Sequence, residues 1–178
     1  MRDVTIARNY AETLVALASR HDALEKWGAR LDVTAAAMSA PQVEAVLMSP
    51  RVTRERKIEL MTEALQDYPR PFSLFIAAVI RRGRQLLLGQ ITDEYHALVD
   101  VKLNRVRAGV TVAREIDALA RQVIVERLSK AIGKNVIAGF STDPALLGGV
   151  VVRIGDRIYD GSVRKRLWSL RHQLLAAE

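Results

Sequence analysis

Cysteine is missing from all 178 residues, which removes disulfide staples, thiolate metal sites and cysteine nucleophiles together. Aromatic residues are scarce, with three Phe, four Tyr and two Trp, too few to stack successive bases of a single strand. The three histidines, His21, His96 and His172, fall in separate segments. They suggest no metal site, and each reads most simply as a surface residue. Neither Gly-x-x-x-x-Gly-Lys-Ser/Thr nor Gly-x-Gly-x-x-Gly occurs, so nucleotide binding has no sequence support. Gly139-Phe-Ser141-Thr-Asp143 approaches a nucleophile elbow but lacks the final glycine and a doubly wound sheet around it. Long apolar runs are also missing. Phe72 to Ile80 is stopped by Arg81-Arg82, which suits a buried helix, and no window is long and pure enough to span a bilayer. The expectation is therefore no catalytic residue, no cofactor and no metal.

What is present is an apolar fraction of 49%, sufficient for packed cores, and a formal charge of +7 with pI near 10.1. A basic chain raises the possibility of nucleic acid, because clustered Lys and Arg release counterions from phosphates. The distribution favours another reading. Residues 1–105 carry 15 basic and 13 acidic side chains, residues 106–178 carry 12 and 7, and the densest cluster is Arg164-Lys165-Arg166 with Arg171. A solvated helical face, or a surface for an acidic protein, fits better than a nucleic-acid channel; a basic helical nucleic-acid-binding or other adaptor protein stays as the alternative. Met1 to Arg8 contains Asp3 and runs straight into a helical pattern, unlike a leader peptide. The natural reading is a cytoplasmic protein.

The first hundred residues read as one helix after another. Ile6, Ala7, Tyr10, Ala11, Leu14, Leu17 and Ala18 form an alanine-rich stripe that lets another helix come close. His21-Asp22 breaks it, and Leu24, Trp27, Leu31 and Ala35 begin a second stripe, with Trp27 read as core or partly exposed. Pro41 lies just inside a short third helix that Ser49-Pro50 ends. Thr53 caps a fourth, turning Ile58, Met61 and Leu65 inward. Pro69 and Pro71 open a fifth through Phe72, Phe75, Ile76, Val79 and Ile80. After Arg81-Arg82-Gly83-Arg84 a sixth runs from about Gln85 to Asn104. Short connections favour an antiparallel bundle.

At Val106 the period changes from helical to alternating: Val106, Ala108, Val110 and Val112 share one face of a strand. That change places a domain boundary between 105 and 106. A helix follows from about Ile116 to Ile132, with Leu119, Val123, Ile124, Leu128 and Ile132 as its apolar side, and Gly133 ends it. Val136 to Phe140 reads as a strand. Asp143-Pro144 starts a turn, and Gly148-Gly149 clears side chains where the next strand, Val150 to Ile154, begins beside other backbone. Gly155-Asp156 suits a two-residue hairpin turn before Arg157-Ile158-Tyr159. Asp160 or Ser162 can cap a final helix, with Gly161 permitting the reversal. Val163, Leu167, Leu170 and Leu174 are expected to form its buried stripe. The fold class is α+β, mostly α: a six-helix bundle over 1–105, then a small β-α-β-β-β-α domain over 106–178 whose core is small for its surface.

The stretch from Asp143-Pro-Ala-Leu-Leu-Gly-Gly through Ile-Gly-Asp-Arg-Ile-Tyr-Asp-Gly-Ser-Val to Leu167 resembles the carboxy-terminal signature of the bacterial F-type ATP synthase delta subunit, the family of the oligomycin sensitivity-conferring protein. Tyr10-Ala11 with Leu14, Ser49-Pro50 with Lys57, and the Gly83-Arg84 break extend the resemblance over nearly the whole chain. Leu147 stands where the family more often has isoleucine, and Thr111 to Ile116 departs from its more usual passage.

The resemblance implies a noncatalytic stator subunit, one copy per complex, tying the catalytic head to the peripheral stalk so that rotary torque is coupled to ATP synthesis. The implied partners are the amino-terminal helices of alpha subunits and the stalk b subunits, with the beta subunit as a further contact and no nucleic acid. Membrane association would be indirect, at the cytoplasmic face of the bacterial inner membrane. By resemblance, Ala7, Tyr10, Ala11 and Leu14 face Phe72, Phe75, Ile76 and Val79 across a groove for an alpha-subunit helix, with ordinary bundle core as the equal alternative for each. Gly148, Gly149, Asp160, Gly161 and Ser162 carry the signature and read as architectural. Arg164, Trp168, Arg171 and Leu175 form an outer stripe of the last helix, an aromatic with cations, suited to a stalk contact, with a solvated face and one partly covered Trp as the alternative.

Overall fold

The computed structural model describes the backbone of residues 2–175 and the side chains of residues 3–172. The chain divides into two compact units, Met1–Asp100 and Val101–Glu178. The division falls a few residues ahead of the change in hydrophobic period.

The first unit is built from α1 (Arg2–Arg20), α2 (Leu24–Met38), α3 (Pro41–Met48), α4 (Arg54–Ala64), α5 (Arg70–Arg81) and α6 (Leu88–Lys102). Each boundary has a local cause. Asp22 turns the chain after α1 at φ 48°, a left-handed position that aspartate tolerates. Pro41 sits in the first turn of α3, where its missing N–H would have had no partner. Thr53 Oγ1 accepts from Arg56 N at 3.3 Å and caps α4. Gly83, at φ 66°, lets Arg84 N return to the Val79 carbonyl and end α5.

The core of this unit is the α5 face of Phe72, Phe75, Ile76, Val79 and Ile80, against which α1 packs. Ala7, Ala11, Leu14 and Ala18 of α1 are fully buried. Trp27, 1% exposed, meets Phe72 edge-on at 5.8 Å, which settles it as core. Tyr95 is buried on α6, its hydroxyl donating to the Leu24 carbonyl at 2.8 Å; burial pushes its pKa far upward. Ile58 and Met61 of α4 are only half-buried, while Leu65 closes fully. Ser73 Oγ donates to the Leu65 carbonyl, and Gln85 Nε2 to the Leu47 carbonyl, tying two connections by side-chain hydrogen bonds.

The second unit runs β1 (Arg105–Val112), α7 (Ala118–Ile132), β2 (Asn135–Thr142), β3 (Val150–Ile154), β4 (Arg157–Asp160) and α8 (Val163–Leu175). The strands form one sheet in the order β2-β1-β3-β4. β1 and β2 are parallel, joined through α7, whereas β3 and β4 are an antiparallel hairpin laid on the other side of β1. Ala108, Val110, Val112, Val136 and Val152 are the buried residues of this core, the alternation expected of a sheet covered on one face.

Two sequence expectations are corrected in α7. Leu119 and Val123 are 71% and 41% exposed. The residues packed on the sheet are Ile124, Val125, Leu128 and Ile132, with Ile116 before the helix. Leu119 and Val123 lie on the side of the helix away from that face, because the α7 sequence is apolar on more than one side and the sheet can cover only one.

Candidate functional site

The signature segment is a corner in which two strands of backbone interlock. Asp143 Oδ1 accepts from Ala145 N at 2.9 Å and starts a short turn over Pro144–Leu146. The chain then passes Leu147 at φ 62° and reaches Gly148-Gly149. Gly149 has φ 78°, and a Cβ there would run into the carbonyl oxygen of Gly161 and lie 3.1 Å from the Ser162 Cα. Gly161 N in turn donates to the Val150 carbonyl at 3.0 Å, and Val163 N to the Gly148 carbonyl at 3.0 Å. Only glycine permits both the backbone conformation and this approach.

Both proposed caps are used, for different bonds. Asp160 Oδ1 accepts from Ser162 N at 2.9 Å, and Ser162 Oγ accepts from Lys165 N at 3.2 Å, so Ser162 is the residue that starts α8. Ser162 is fully buried. Its hydrogen bonds hold the Asp160 carboxyl below the usual carboxylate range, helped by the charges of Lys165 and Arg164. Gly148, Gly149, Asp160, Gly161 and Ser162 therefore form one structural knot that sets where α8 leaves the sheet.

Along its described side chains α8 is uncovered, which overturns the buried stripe expected through Val163, Leu167 and Leu170. Val163, Leu167 and Leu170 are 39%, 54% and 54% exposed. The physical reason is that α8 is anchored at its start, by the Ser162 cap and by packing on the Pro144–Leu146 turn, and its described side chains find no apolar cover along their length. Arg164, Trp168 and Arg171 are exposed as well, with the Trp168 ring 3.9 Å from His172 along the same helix. The side chains of Leu174 and Leu175 lie outside the described residues.

The groove expected between α1 and α5 is closed by its own residues. Ala7, Ala11, Leu14, Phe72, Ile76 and Val79 are fully buried and Phe75 is nearly so; they are the seam joining the two helices and cannot line an open trough. Tyr10 alone of the eight keeps surface. Its ring meets Phe75 edge-on at 6.1 Å, Arg84 lies 6.0 Å over it, and its hydroxyl is buried with no hydrogen-bond partner. Leu74, 59% exposed, and Ala78 come next round α5 from Phe75. Sequence periodicity grouped the seam correctly but could not tell floor from rim.

Other candidates disperse. His96 Nε2 and Asp32 Oδ1 are 2.7 Å apart between α6 and α2, His21 stacks on Trp27, and among the described residues no group of three or more His, Cys, Asp or Glu could hold a metal ion. Ser141 Oγ meets Thr111 Oγ1 at 3.0 Å across the β1–β2 pair, a hydroxyl-to-hydroxyl hydrogen bond between neighbouring strands. One feature escaped the sequence reading: an apolar cleft of 280 Å³ between α3 and α4, lined by Val43, Val46, Leu60 and Met61. Its signal in the sequence is Val43 and Val46 on α3 with Leu60 on α4, apolar positions beside the stripe that turns Met61 inward.

In fold, the chain matches one from the Toxoplasma gondii mitochondrial ATP synthase hexamer, with a TM-score of 0.62 over 95% of this chain and 97% of that one at 18% identity. A six-helix bundle followed by a β-α-β-β-β-α unit is thus a known two-unit fold class. In sequence, the family model for the ATP synthase delta (OSCP) subunit matches residues 6–174. ATP synthase subunit delta of Gemmatimonas aurantiaca is 43% identical over 172 residues, 96% of this chain and 93% of the relative. The corresponding subunit of an Anaeromyxobacter species is 39% identical over 174 residues, 96% and 97% of the two chains. The chain belongs to the ATP synthase delta (OSCP) subunit family. It is a stator component of the synthase, linking head and peripheral stalk.

Proposed function

We propose that the chain is a noncatalytic clamp in which the two units divide the work. The helical unit, residues 1–105 on the sequence boundary, takes the catalytic head through alpha-subunit amino-terminal helices. The second, 106–178, takes the b subunits of the stalk. One copy serves each complex, at the cytoplasmic face of the membrane and held there by its partners; among the described residues no helix is long and apolar enough to cross a membrane. Rotation of the central shaft drags on the head, and a stator couples that torque to ATP only if it does not let go. Slow release calls for nanomolar or tighter binding, about 12 kcal/mol or more.

The observation that carries this reading is the family match over residues 6–174. The head contact is assigned to the surface above the α1–α5 seam, where Leu74 and Ala78 are exposed, Tyr10 is half-buried, and the buried alanines bring the helices close. The stalk contact is assigned to α8, through Arg164, Trp168, Arg171 and Leu175. The knot at Gly149 and Gly161 gives that contact a rigid root, so that load on α8 passes into the backbone of β3 and β4.

The deciding experiment is co-purification with alpha, beta and b subunits, followed by crosslinking from each unit. Crosslinks from residues 1–105 to alpha and from 106–178 to b are expected; the reverse pattern, or ATP hydrolysis by the isolated chain, would sink the reading. The basic charge favours nucleic acid as the second candidate, and a gel shift at about 150 mM salt separates the two.

A further inference from the structure

Along α8, Val163, Leu167 and Leu170 are exposed and Leu174 continues their spacing in the sequence. The intervals are four, three and four residues, the spacing of a helix-to-helix seam. At 100° per residue the four span an arc of about 60°, narrower than the face a helix lays on a globular core. With Val163 and Leu170 at d and Leu167 and Leu174 at a, Arg164 and Arg171 take the e positions and Arg166 a g position. Both flanks of the seam are therefore cationic. No Asp or Glu occurs anywhere in α8.

That charge pattern selects the occupant. Residues at e and g set partner choice in a two-helix seam, so a second copy of this chain would bring arginine against arginine. An anionic bilayer favours a wide apolar face with its aromatic in it, whereas Trp168 falls at b, off the seam. We propose that α8 is one half of a two-helix seam whose other half is a helix with apolar residues at heptad spacing and carboxylates on both flanks. The identification of that helix with part of the peripheral stalk rests on the function proposed above; its chemistry does not. The thirteen residues of α8 offer about 20 Å of contact, close to two heptads.

The test uses the full chain and two synthetic four-heptad helices, both with Leu at a and d, one with Glu and one with Lys at e and g, read by fluorescence anisotropy. The chain is expected to bind the Glu-flanked helix and not the Lys-flanked one. Leu167→Asp should weaken that binding about tenfold or more, and Leu170→Gln should also weaken it if the aspartate variant loses its native circular dichroism. Arg164→Glu with Arg171→Glu should transfer preference to the Lys-flanked helix. Ser169→Asp, which adds the same charge at the exposed c position off the seam, should leave affinity within about twofold, below the loss from a buried leucine. Equal loss from Ser169→Asp and Leu167→Asp, or no preference between the two helices, would overturn the proposal, as would seam-dependent self-association or binding to phosphatidylglycerol vesicles in place of the helix. The purified b subunit separates the two readings. Full b affinity in Leu167→Asp removes the seam and leaves the stalk assignment, whereas a wild-type chain that binds the Glu-flanked helix but not b keeps the seam and removes the stalk.

Discussion

Gly149 lies so close to Gly161 that a methyl group on the first would occupy the space of the carbonyl oxygen of the second. The two residues are twelve apart in sequence, separated by a complete hairpin, and their contact fixes where the last helix begins. Gly149→Ala meets both this collision and φ 78°, and is expected to destabilise the second unit by at least about 2 kcal/mol. Gly139→Ala is the control. A Cβ there meets nothing within 4 Å, so the substitution should be neutral or stabilising by up to about 1 kcal/mol. Urea unfolding of the two variants side by side checks the pair.

Ser162→Ala removes the oxygen that accepts from Lys165 N and should lower stability by about 1 kcal/mol. The same variant should leave alpha-subunit binding unchanged, which a pull-down can verify.

Asp160 carries a pH signature. Its folded pKa is depressed, first by the Ser162 hydrogen bonds and then by Lys165 and Arg164. The group therefore contributes stability above its unfolded pKa of about 3.9, and that contribution is lost as pH falls through the lower folded value. Asp160→Asn should flatten this part of the acid limb. The urea midpoint followed from pH 5 downward reads it out, and parallel curves for the two proteins would refute the assignment.

At the head surface, two substitutions should part company. Tyr10→Asp is expected to weaken binding of an alpha-subunit amino-terminal peptide while circular dichroism stays native, because Tyr10 keeps surface. Val79→Glu puts a carboxylate where the side chain is fully buried, so it should unfold the bundle before any selective effect on binding is seen. Tyr10→Phe removes a buried hydroxyl without a partner and should be neutral or slightly stabilising. Peptide titration with thermal melts on all three variants separates surface from core.

The two tryptophans should report different events. Trp27 is 1% exposed and Trp168 is 62% exposed. Trp27→Ala should cost about 3–5 kcal/mol, while Trp27→Phe leaves Trp168 as a single reporter whose red-shifted emission moves to the blue when a stalk partner covers α8. An emission maximum unmoved by saturating b subunit would remove Trp168 from the contact.

Most element boundaries were legible because each depends on a few neighbouring residues. Thr53, Pro41, Gly83 and Gly133 act within one turn, and their effect does not wait for the rest of the fold. The hairpin from Val150 to Asp160 belongs to the same class, as its turn residues and β-branched run suffice. Harder to read was the identity of whatever covers each apolar stripe. Periodicity placed Leu119 and Val123 with Ile124, and Val163 with Leu167 and Leu170, yet it carries no information on what lies opposite.

The sequence by itself determined the order of helices and strands, the caps, the signature corner and, through that corner, the family. Those features rest on backbone conformations and hydrogen bonds that span a few residues. Only the tertiary structure decided that the α1–α5 alanines form a closed seam, that α7 packs through Ile124, Val125, Leu128 and Ile132, and that α8 leaves Val163, Leu167 and Leu170 open. Burial is a property of facing surfaces, and surfaces that meet in space are brought together from distant parts of the chain.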